Sequence, residues 1–135
     1  MKILIQNGRV IDPASGYDQT ADVAIAAGRI VAIGQAPADF VPNRSIDATG
    51  CIVAPGLVDL AVRLREPGHE HAGMLESELA AAVAGGVTSL VCPPDTDPVL
   101  DEPGLVEMLK FRAEKQHQAR LFPLGALTRG LQGEV

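Results

Sequence analysis

The stretch of sequence that decides the fold is residues 56–68, GLVDLAVRLREPG. Its side chains alternate between apolar and other types, as expected when successive residues of a β-strand point to opposite faces. The apolar set is Val58, Leu60, Val62 and Leu64, and the other set is Asp59, Ala61, Arg63 and Arg65. The pattern predicts a strand that ends at Leu64, with one face in a core and the other available for chemistry.

The elements after this strand alternate in type. Pro103 suits the first turn of a helix, and Gly85-Gly86 suits the end of one. The predicted elements are a loop at 67–68, a helix over 74–84, a strand over 87–92, a rigid loop over 93–98, a helix from 103 through 112, and a strand over 119–126. This order predicts right-handed crossovers and a parallel sheet.

The residues before this region predict a small all-β unit over residues 1–52, followed by a second unit over residues 53–135. Asn7-Gly8 is the strongest short hairpin signal, so strands 2–6 and 9–11 are expected to flank a turn there. Ala27-Gly28 predicts a second turn between strands 22–26 and 29–33, and residues 44–47 form one more short strand. No helical periodicity interrupts this part of the chain.

Composition limits the classes of function. The chain has 135 residues and a formal net charge of −6, and no run of Lys or Arg offsets that balance locally. A nucleic-acid partner is therefore not expected. No apolar run is long enough to span a bilayer, and the first residues do not form a secretory signal, so a soluble cytoplasmic protein is predicted. Cys51 and Cys92 lie in apolar stretches and are expected to be buried free thiols.

Three stretches carry a resemblance to a known family. Residues 53–59, residues 64–68 and residues 125–134 resemble the dihydroorotase family of the amidohydrolase superfamily. The resemblance implies an α/β fold in which a small β-sandwich-type unit precedes a (β/α)8 barrel. Since such a barrel typically needs about 250 residues, three strands and two helices would be its N-terminal part. A longer protein is therefore expected.

The resemblance also implies a metal site on the first barrel strand. Family members carry His-x-His-x-Arg there, and the two histidines would fall on Ala61 and Arg63. Alanine offers no lone pair and arginine remains a cation, so neither can ligate zinc. We interpret Arg63 as occupying the metal's place, held by Asp59 or Asp95, because an unpaired buried guanidinium would be costly. The alternative is that Arg63 is an exposed edge residue and the strand lies elsewhere in the fold.

The loop of residues 93–98, PPDTDP, resembles the family's Met-Pro-Asn-Thr-Asn-Pro. By family position, Arg65 and Asp95 would be the substrate-binding residues, but Asp95 replaces an asparagine that helps the arginine hold the substrate carboxylate. An ionised aspartate only accepts hydrogen bonds and repels a carboxylate, so binding should suffer. Arg65 and Asp95 are expected to pair with each other. Alternatively, Asp95 caps the loop in an Asx-turn.

Other histidines offer weaker sites. His69 and His71 have the spacing of a zinc pair, but they follow Pro67-Gly68 in a loop, and His71 matches a family position that is not a metal ligand. A metal role is not expected for them. His117 is expected to be a solvated residue in the last turn of a helix.

The leading prediction is a dihydroorotase-like pseudoenzyme with no catalytic residues and no cofactor, although active relatives use zinc. The resemblance implies a structural role beside aspartate carbamoyltransferase in pyrimidine biosynthesis, and an oligomer is expected. Two alternatives remain. One is a working amidohydrolase that takes its metal from downstream residues or from His69 and His71. The other is a sensor whose Arg63 and Arg65 bind a small dianion.

Overall fold

The computed structural model describes residues 1–133, in which the chain divides into two compact units at Pro55/Gly56. The boundary expected from the sequence lay three residues earlier, between residues 52 and 53. The last two residues of the expected second unit, Glu134 and Val135, lie outside the described residues. No helix among residues 1–133 combines the length and apolar character needed to cross a membrane.

The first unit is a single sheet with strand order β3-β2-β1-β4, in which β5 also pairs with β1. β1 runs antiparallel to β2 and parallel to β4 and β5. Its buried residues include Val10, Val23 and Ala24, which lie on the two central strands. The strands are β1 (Lys2–Asp12), β2 (Tyr17–Ala26), β3 (Arg29–Gly34), β4 (Arg44–Asp47) and β5 (Ile52–Val53). The all-β character predicted for this unit is confirmed, but within residues 1–133 its strands form one sheet and not the two layers of the expected sandwich.

The predicted hairpin at Asn7-Gly8 is wrong, because β1 continues through both residues. The register of β1 against β2 shifts between Ile5 and Gly8, and Asn7 has a φ of 65°, which marks a β-bulge. Asp22 accepts the Asn7 N–H at 3.2 Å, and the Asn7 amide donates to Asp47 at 3.1 Å. A Cβ on Gly8 would lie 2.6 Å from the Val53 side chain. The Asn-Gly pair therefore serves a close approach between strands, and β1 turns into β2 only after Asp12.

The second unit alternates strands and helices, as predicted. Its elements are β6 (Leu57–Asp59), α1 (Leu75–Ala84), β7 (Val87–Cys92), α2 (Pro103–Lys115), β8 (Arg120–Pro123) and a 3₁₀ turn (Arg129–Leu131). The three strands form a parallel sheet in the order β6-β7-β8. The helices and strands share one apolar core, whose buried members are Leu64, Leu75, Leu79, Leu90, Cys92, Leu100, Leu109, Ala113, Ala119 and Leu121.

The first strand of this unit stops at Asp59 instead of Leu64. The Asp59 carboxylate accepts the N–H of Ala61 at 3.0 Å, which bends the backbone away from the ladder. The Val62 N–H then bonds to the Val91 carbonyl at 3.0 Å, so the chain still follows β7. Leu64 is buried, whereas Leu60 is exposed, so the predicted apolar face is only partly correct. The physical reason is that β6 is an outer strand, paired on one side only within residues 1–133.

Two further expectations need correction. Strand β8 ends at Pro123 and not at Ala126, because the Ala126 N–H leaves the sheet to bond the Leu100 carbonyl at 2.7 Å. Cys92 is buried as expected, but Cys51 is exposed, because it lies in the turn between β4 and β5. Apolar neighbours in sequence did not indicate burial at that turn.

Candidate functional site

Two loops that follow the parallel strands β6 and β7 meet at the same edge of the sheet. We define the mouth as residues 63–69 and 93–98, one segment from each loop. The mouth surrounds a cavity of about 20 Å³. Its lining residues are Arg63, Leu64, Arg65, Pro67, His69, Cys92, Pro93, Asp95 and Thr96. The carboxyl ends of parallel strands are where open and closed α/β sheets place their sites.

Arg63 is bound by Asp95 across the mouth. Its Nε and Nη2 both donate to Asp95 Oδ2, at 2.9 and 2.7 Å. The expectation that a carboxylate holds Arg63 is confirmed, and Asp59, the other candidate, instead accepts the Ala61 N–H. Within residues 1–133, Asp95 uses its carboxylate on Arg63 and not on a backbone N–H, so the Asx-turn alternative is not observed there. The burial expected for this guanidinium is wrong: the Arg63 side chain is 60% exposed, as the alternative of an exposed residue held, although its strand does lie in the parallel sheet. The pair therefore adds only about 0–1 kcal/mol to stability.

The predicted Arg65–Asp95 pair is wrong. Arg65 has a φ of 65°, a left-handed conformation that directs its side chain differently from that of Arg63. Its Cγ lies 3.4 Å from where a Cβ on Gly73 would be. Within the part of the chain that the structure describes, the Arg65 guanidinium forms no ion pair. The substrate-binding role of Arg65 and Asp95 remains a prediction from family position.

Cys92 ends β7 and contributes to the wall of the cavity. It is 1% exposed, and its Sγ–H donates to the Pro93 carbonyl at 3.4 Å. Burial raises the pKa of the thiol, with a further rise from the charge of Asp95 and an opposing effect from Arg63. Both charges of the ion pair therefore lie near a protonated, unreactive thiol.

Glu66 is the residue of this region that sequence reasoning missed. It is 1% exposed, and its Oε2 accepts the N–H of Leu75, the first residue of α1, at 2.9 Å. Arg112 of α2 forms an ion pair with its other oxygen. A signal did exist in the sequence: the N-cap of α1 is Met74, whose side chain cannot act as Ser, Thr, Asp or Asn would. The free N–H groups of such a first turn must then be satisfied by water or by an acceptor from elsewhere in the chain, and here Glu66 is that acceptor for Leu75.

His69 and His71 lie in the loop before α1, as expected. Both are exposed, and their rings meet edge to face with centroids 6.0 Å apart. Between them, the Glu70 carboxylate accepts the N–H of Gly68 at 3.1 Å, and backbone hydrogen bonds lower the pKa of that carboxyl. The described residues contain no group of three or more His, Cys, Asp or Glu side chains that could hold a metal.

The donor set at the mouth does not fit zinc. At the two positions where the resemblance places histidines stand Ala61, which has no donor, and Arg63, whose guanidinium already binds Asp95 Oδ2. The carboxylate nearest to Arg63 is thus used to neutralise a cation. Within residues 1–133, this arrangement balances charge and joins the two loops. His117, exposed with a φ of 52° just past the end of α2, is remote from this chemistry.

The chain is similar to proteins of known family. A family model described as dihydro-orotase-like matches residues 50–135. A dihydroorotase-like protein of Pseudomonas aeruginosa is 55% identical over 134 residues, which are 99% of this chain and 32% of that protein. A dihydroorotase of Solibacter usitatus is 50% identical over 135 residues, or 99% of this chain and 31% of that protein. The chain thus spans about a third of the length of the curated relatives it matches.

Solved structures of amidohydrolases have a fold similar to that of this chain. The L-hydantoinase of Arthrobacter aurescens has a TM-score of 0.79 at 25% identity, over 93% of this chain and 28% of that chain. The N-acyl-D-glutamate deacylase of Bordetella bronchiseptica has a TM-score of 0.65 at 20% identity, over 91% of this chain and 29% of that chain, and shows the fold alone. These matches confirm the predicted fold class, an α/β chain that contains part of a (β/α)8 amidohydrolase barrel.

Proposed function

Because the chain belongs to the dihydro-orotase-like family, we propose that it serves as a noncatalytic, dihydroorotase-like component of pyrimidine biosynthesis. The observation that carries this proposal is the Arg63–Asp95 pair at the mouth. Where the resemblance places a metal ligand, this chain has a guanidinium, and a carboxylate across the mouth binds it.

The proposed loss of catalytic activity has a specific chemical basis. Hydrolysis of a cyclic amide near neutral pH needs an activated water and a polarised carbonyl, and a metal commonly supplies both. A guanidinium has no lone pair to offer a metal, and its pairing with Asp95 also occupies the carboxylate across the mouth. Asp95 also cannot donate to a substrate carboxylate as an amide would. Three departures at decisive positions, Ala61, Arg63 and Asp95, therefore act in the same direction.

The first experiment tests the noncatalytic assignment on the protein at its full natural length. We expect elemental analysis after dialysis to find no stoichiometric zinc, and we expect no hydrolysis of dihydroorotate above background. The triple variant Ala61→His, Arg63→His, Asp95→Asn is the matched comparison, because it restores the ligands and the amide that the resemblance implies. Zinc bound one to one by the unmodified protein, with turnover that a chelator abolishes, would refute the assignment.

We further propose that the protein acts through assembly with aspartate carbamoyltransferase. The support is the combination of retained scaffold and altered site: the core, the helix ends and the loop packing of the second unit are intact, while the positions for metal ligands are changed. Co-expression with the transferase should give a larger complex and higher or more stable carbamoyltransferase activity. If the transferase has the same mass, activity and stability without this protein, the partnership must be abandoned.

One observation favours a second candidate, the sensor of a small dianion. Arg65 lines the cavity and forms no ion pair within residues 1–133. A carboxylate ligand could pair with its guanidinium. Titration calorimetry with the dianion N-carbamoyl-aspartate tests this, with the monoanion dihydroorotate as the ligand control and Arg65→Met as the comparison variant. Heat of binding that disappears in the variant would support the sensor, and its absence in both proteins would exclude these two ligands.

A further inference from the structure

The strongest unexplained feature of the second unit is the burial of Glu66. A buried carboxylate is costly unless hydrogen bonds and an opposite charge compensate it. Oε2 accepts the Leu75 N–H at 2.9 Å, and Arg112 supplies the opposite charge beside Oε1, which accepts no hydrogen bond within residues 1–133. Its carboxylate therefore joins the loop after β6 to the first turn of α1 and to the last turn of α2.

The same segment is held from its other side. The Asp97 N–H donates to the Pro67 carbonyl at 3.2 Å. Beside it, Gly68 approaches the other loop so closely that an added Cβ would overlap the Asp97 carbonyl oxygen. Residues 65–68 are thus fixed between two helices and the opposite loop. Arg63 lies only three residues before Glu66. The position of residues 65–68 therefore determines whether the Arg63 side chain can contact Asp95.

We infer that Glu66 is a positioning residue for the mouth: its buried carboxylate fixes residues 63–69 so that Arg63 stays on Asp95 and the pair covers Cys92. The inference rests on the proposed function in one respect, that an ion pair and not a metal joins the two loops. It goes beyond that function, because it assigns a role to Glu66, which is not part of the Arg63–Asp95 pair. That role is to keep the mouth closed.

Cys92 provides a reporter of closure. Cys92 lines the same cavity as Arg63 and Asp95 and is 1% exposed, whereas Cys51 is an exposed thiol in the first unit. An alkylating reagent should modify Cys51 at once and Cys92 only when the mouth opens. Opening of the mouth alone exposes little surface, so its rate should hardly change with urea. Labelling that requires global unfolding should rise steeply with urea.

The experiment measures alkylation of Cys92 by iodoacetamide in the full-length protein, quantified by mass spectrometry of its peptide relative to that of Cys51. Glu66→Ala removes both contacts, Glu66→Gln keeps an acceptor for Leu75 but removes the ion pair, and Arg112→Met removes the same pair from the other side. Glu107→Gln is the matched control, because it breaks an exposed pair with Lys110 on the same helix. Arg63→Met tests the mouth directly.

We expect Glu66→Ala, Arg112→Met and Arg63→Met to raise Cys92 labelling by about tenfold or more without urea, which corresponds to about 1.4 kcal/mol in the opening equilibrium. Glu66→Gln should give a smaller rise and Glu107→Gln none. The double variant Glu66→Gln, Arg63→Met should label Cys92 little faster than Arg63→Met alone, since both substitutions act by breaking the Arg63–Asp95 contact. If Glu66→Ala fails to fold, Glu66→Gln and Arg112→Met still decide the question.

The inference is overturned if labelling in the Glu66 and Arg112 variants stays at the unmodified rate. It is equally overturned if that labelling rises only in step with global unfolding, with the same urea dependence as the loss of circular dichroism. Zinc binding or turnover would refute the proposed function without changing the labelling of these variants, so the two failures can be told apart.

Discussion

Arg63 and Asp95 are the two residues on which the proposed loss of catalysis depends, because their side chains bind each other across the mouth. The ion pair is largely exposed, so its contribution to folding is small, and its main consequence is to fill and neutralise the mouth. The presence of an aspartate opposite an arginine does not by itself show whether the arginine is free to bind a substrate carboxylate. In this structure Arg63 Nε and Nη2 both donate to Asp95 Oδ2, so the Arg63 guanidinium is already bound to a carboxylate of the chain.

The weak energetic contribution of this pair is testable. A double-mutant cycle of Arg63→Met and Asp95→Asn, measured by urea unfolding, should give a coupling energy of about 1 kcal/mol or less. The pair Arg9–Asp18 of the first unit, with side chains 58% and 47% exposed, provides a comparison of similar exposure in which the guanidinium donates to both carboxylate oxygens. A coupling above about 3 kcal/mol would mean that the mouth pair behaves as a buried one.

Gly68 is the second residue at which a single change should have a large effect. Gly68→Ala places a methyl group against the Asp97 backbone at a φ of +104°, so we expect a loss of about 3 kcal/mol or more in the free energy of unfolding. Gly86→Ala is the matched control, since Gly86 has a φ of +84° with nothing within 4 Å of the added Cβ. It should lose only about 1 kcal/mol, the backbone part. Equal losses in urea unfolding would show that the contact with Asp97 is unimportant.

At the scale of elements, the sequence predicted what local chemistry controls. Pro103 opens α2, Gly85 and Gly86 end α1, and Val87–Cys92 forms a strand with the bounds expected. Asn7-Gly8 misled because a β-bulge and a tight turn favour the same residues, and only the approach of Val53 decides between them. Glu66 was missed because its partner Arg112 lies 46 positions later, and contacts at that separation leave no periodic signal.

The candidate site was predictable to a similar degree. The position of Asp95 opposite the first loop followed from the alternation of strands and helices and from the family resemblance. Which arginine would bind Asp95 did not, because the choice depends on the left-handed φ of Arg65, and nothing in the residue type of Arg65 favours that conformation. Sequence therefore identified the partners at the mouth but not their pairing.

The pairing of β1 with β2 has a testable dependence on pH. Hydrogen bonds from Arg9, at 2.7 Å, lower the pKa of the Asp18 carboxyl from its ordinary value of 3.8. A group with a lowered pKa in the folded state stabilises the fold above its unfolded pKa. That stability is lost as the pH falls from the ordinary value through the lowered one.

Arg9→Met should therefore flatten the acid side of the stability profile, measured by urea unfolding between pH 5 and the acid limit of folding. The control is Arg29→Met, which removes an equal charge from the same unit at a side chain that forms no ion pair within residues 1–133. A profile of Arg9→Met identical to that of Arg29→Met would show that the pair with Asp18 has no effect on acid stability.

At the scale of the molecule, the second unit has an open parallel sheet. Within residues 1–133, β6 and β8 each pair on one side only. Val58 on β6 is 61% exposed and Phe122 on β8 is 51% exposed. Unpaired strand edges with apolar side chains recruit other chains.

Residues 1–135 produced alone should therefore self-associate, which light scattering at increasing concentration would reveal. Val58→Lys should reduce the association, because a lysine on an outer strand opposes edge-to-edge pairing. A monodisperse monomer that unfolds cooperatively would contradict this expectation.

The close approach of Gly68 to Asp97 also has a consequence for protein engineering. Since the backbone of one loop occupies the space into which a side chain of the other would extend, residues 63–69 and 93–98 are a single unit of exchange. A chimera that takes one loop from a relative and keeps the other would combine two loops whose backbones do not pack against each other without steric overlap. Attempts to graft a working site onto this scaffold should therefore transplant both segments together, with Gly68 retained.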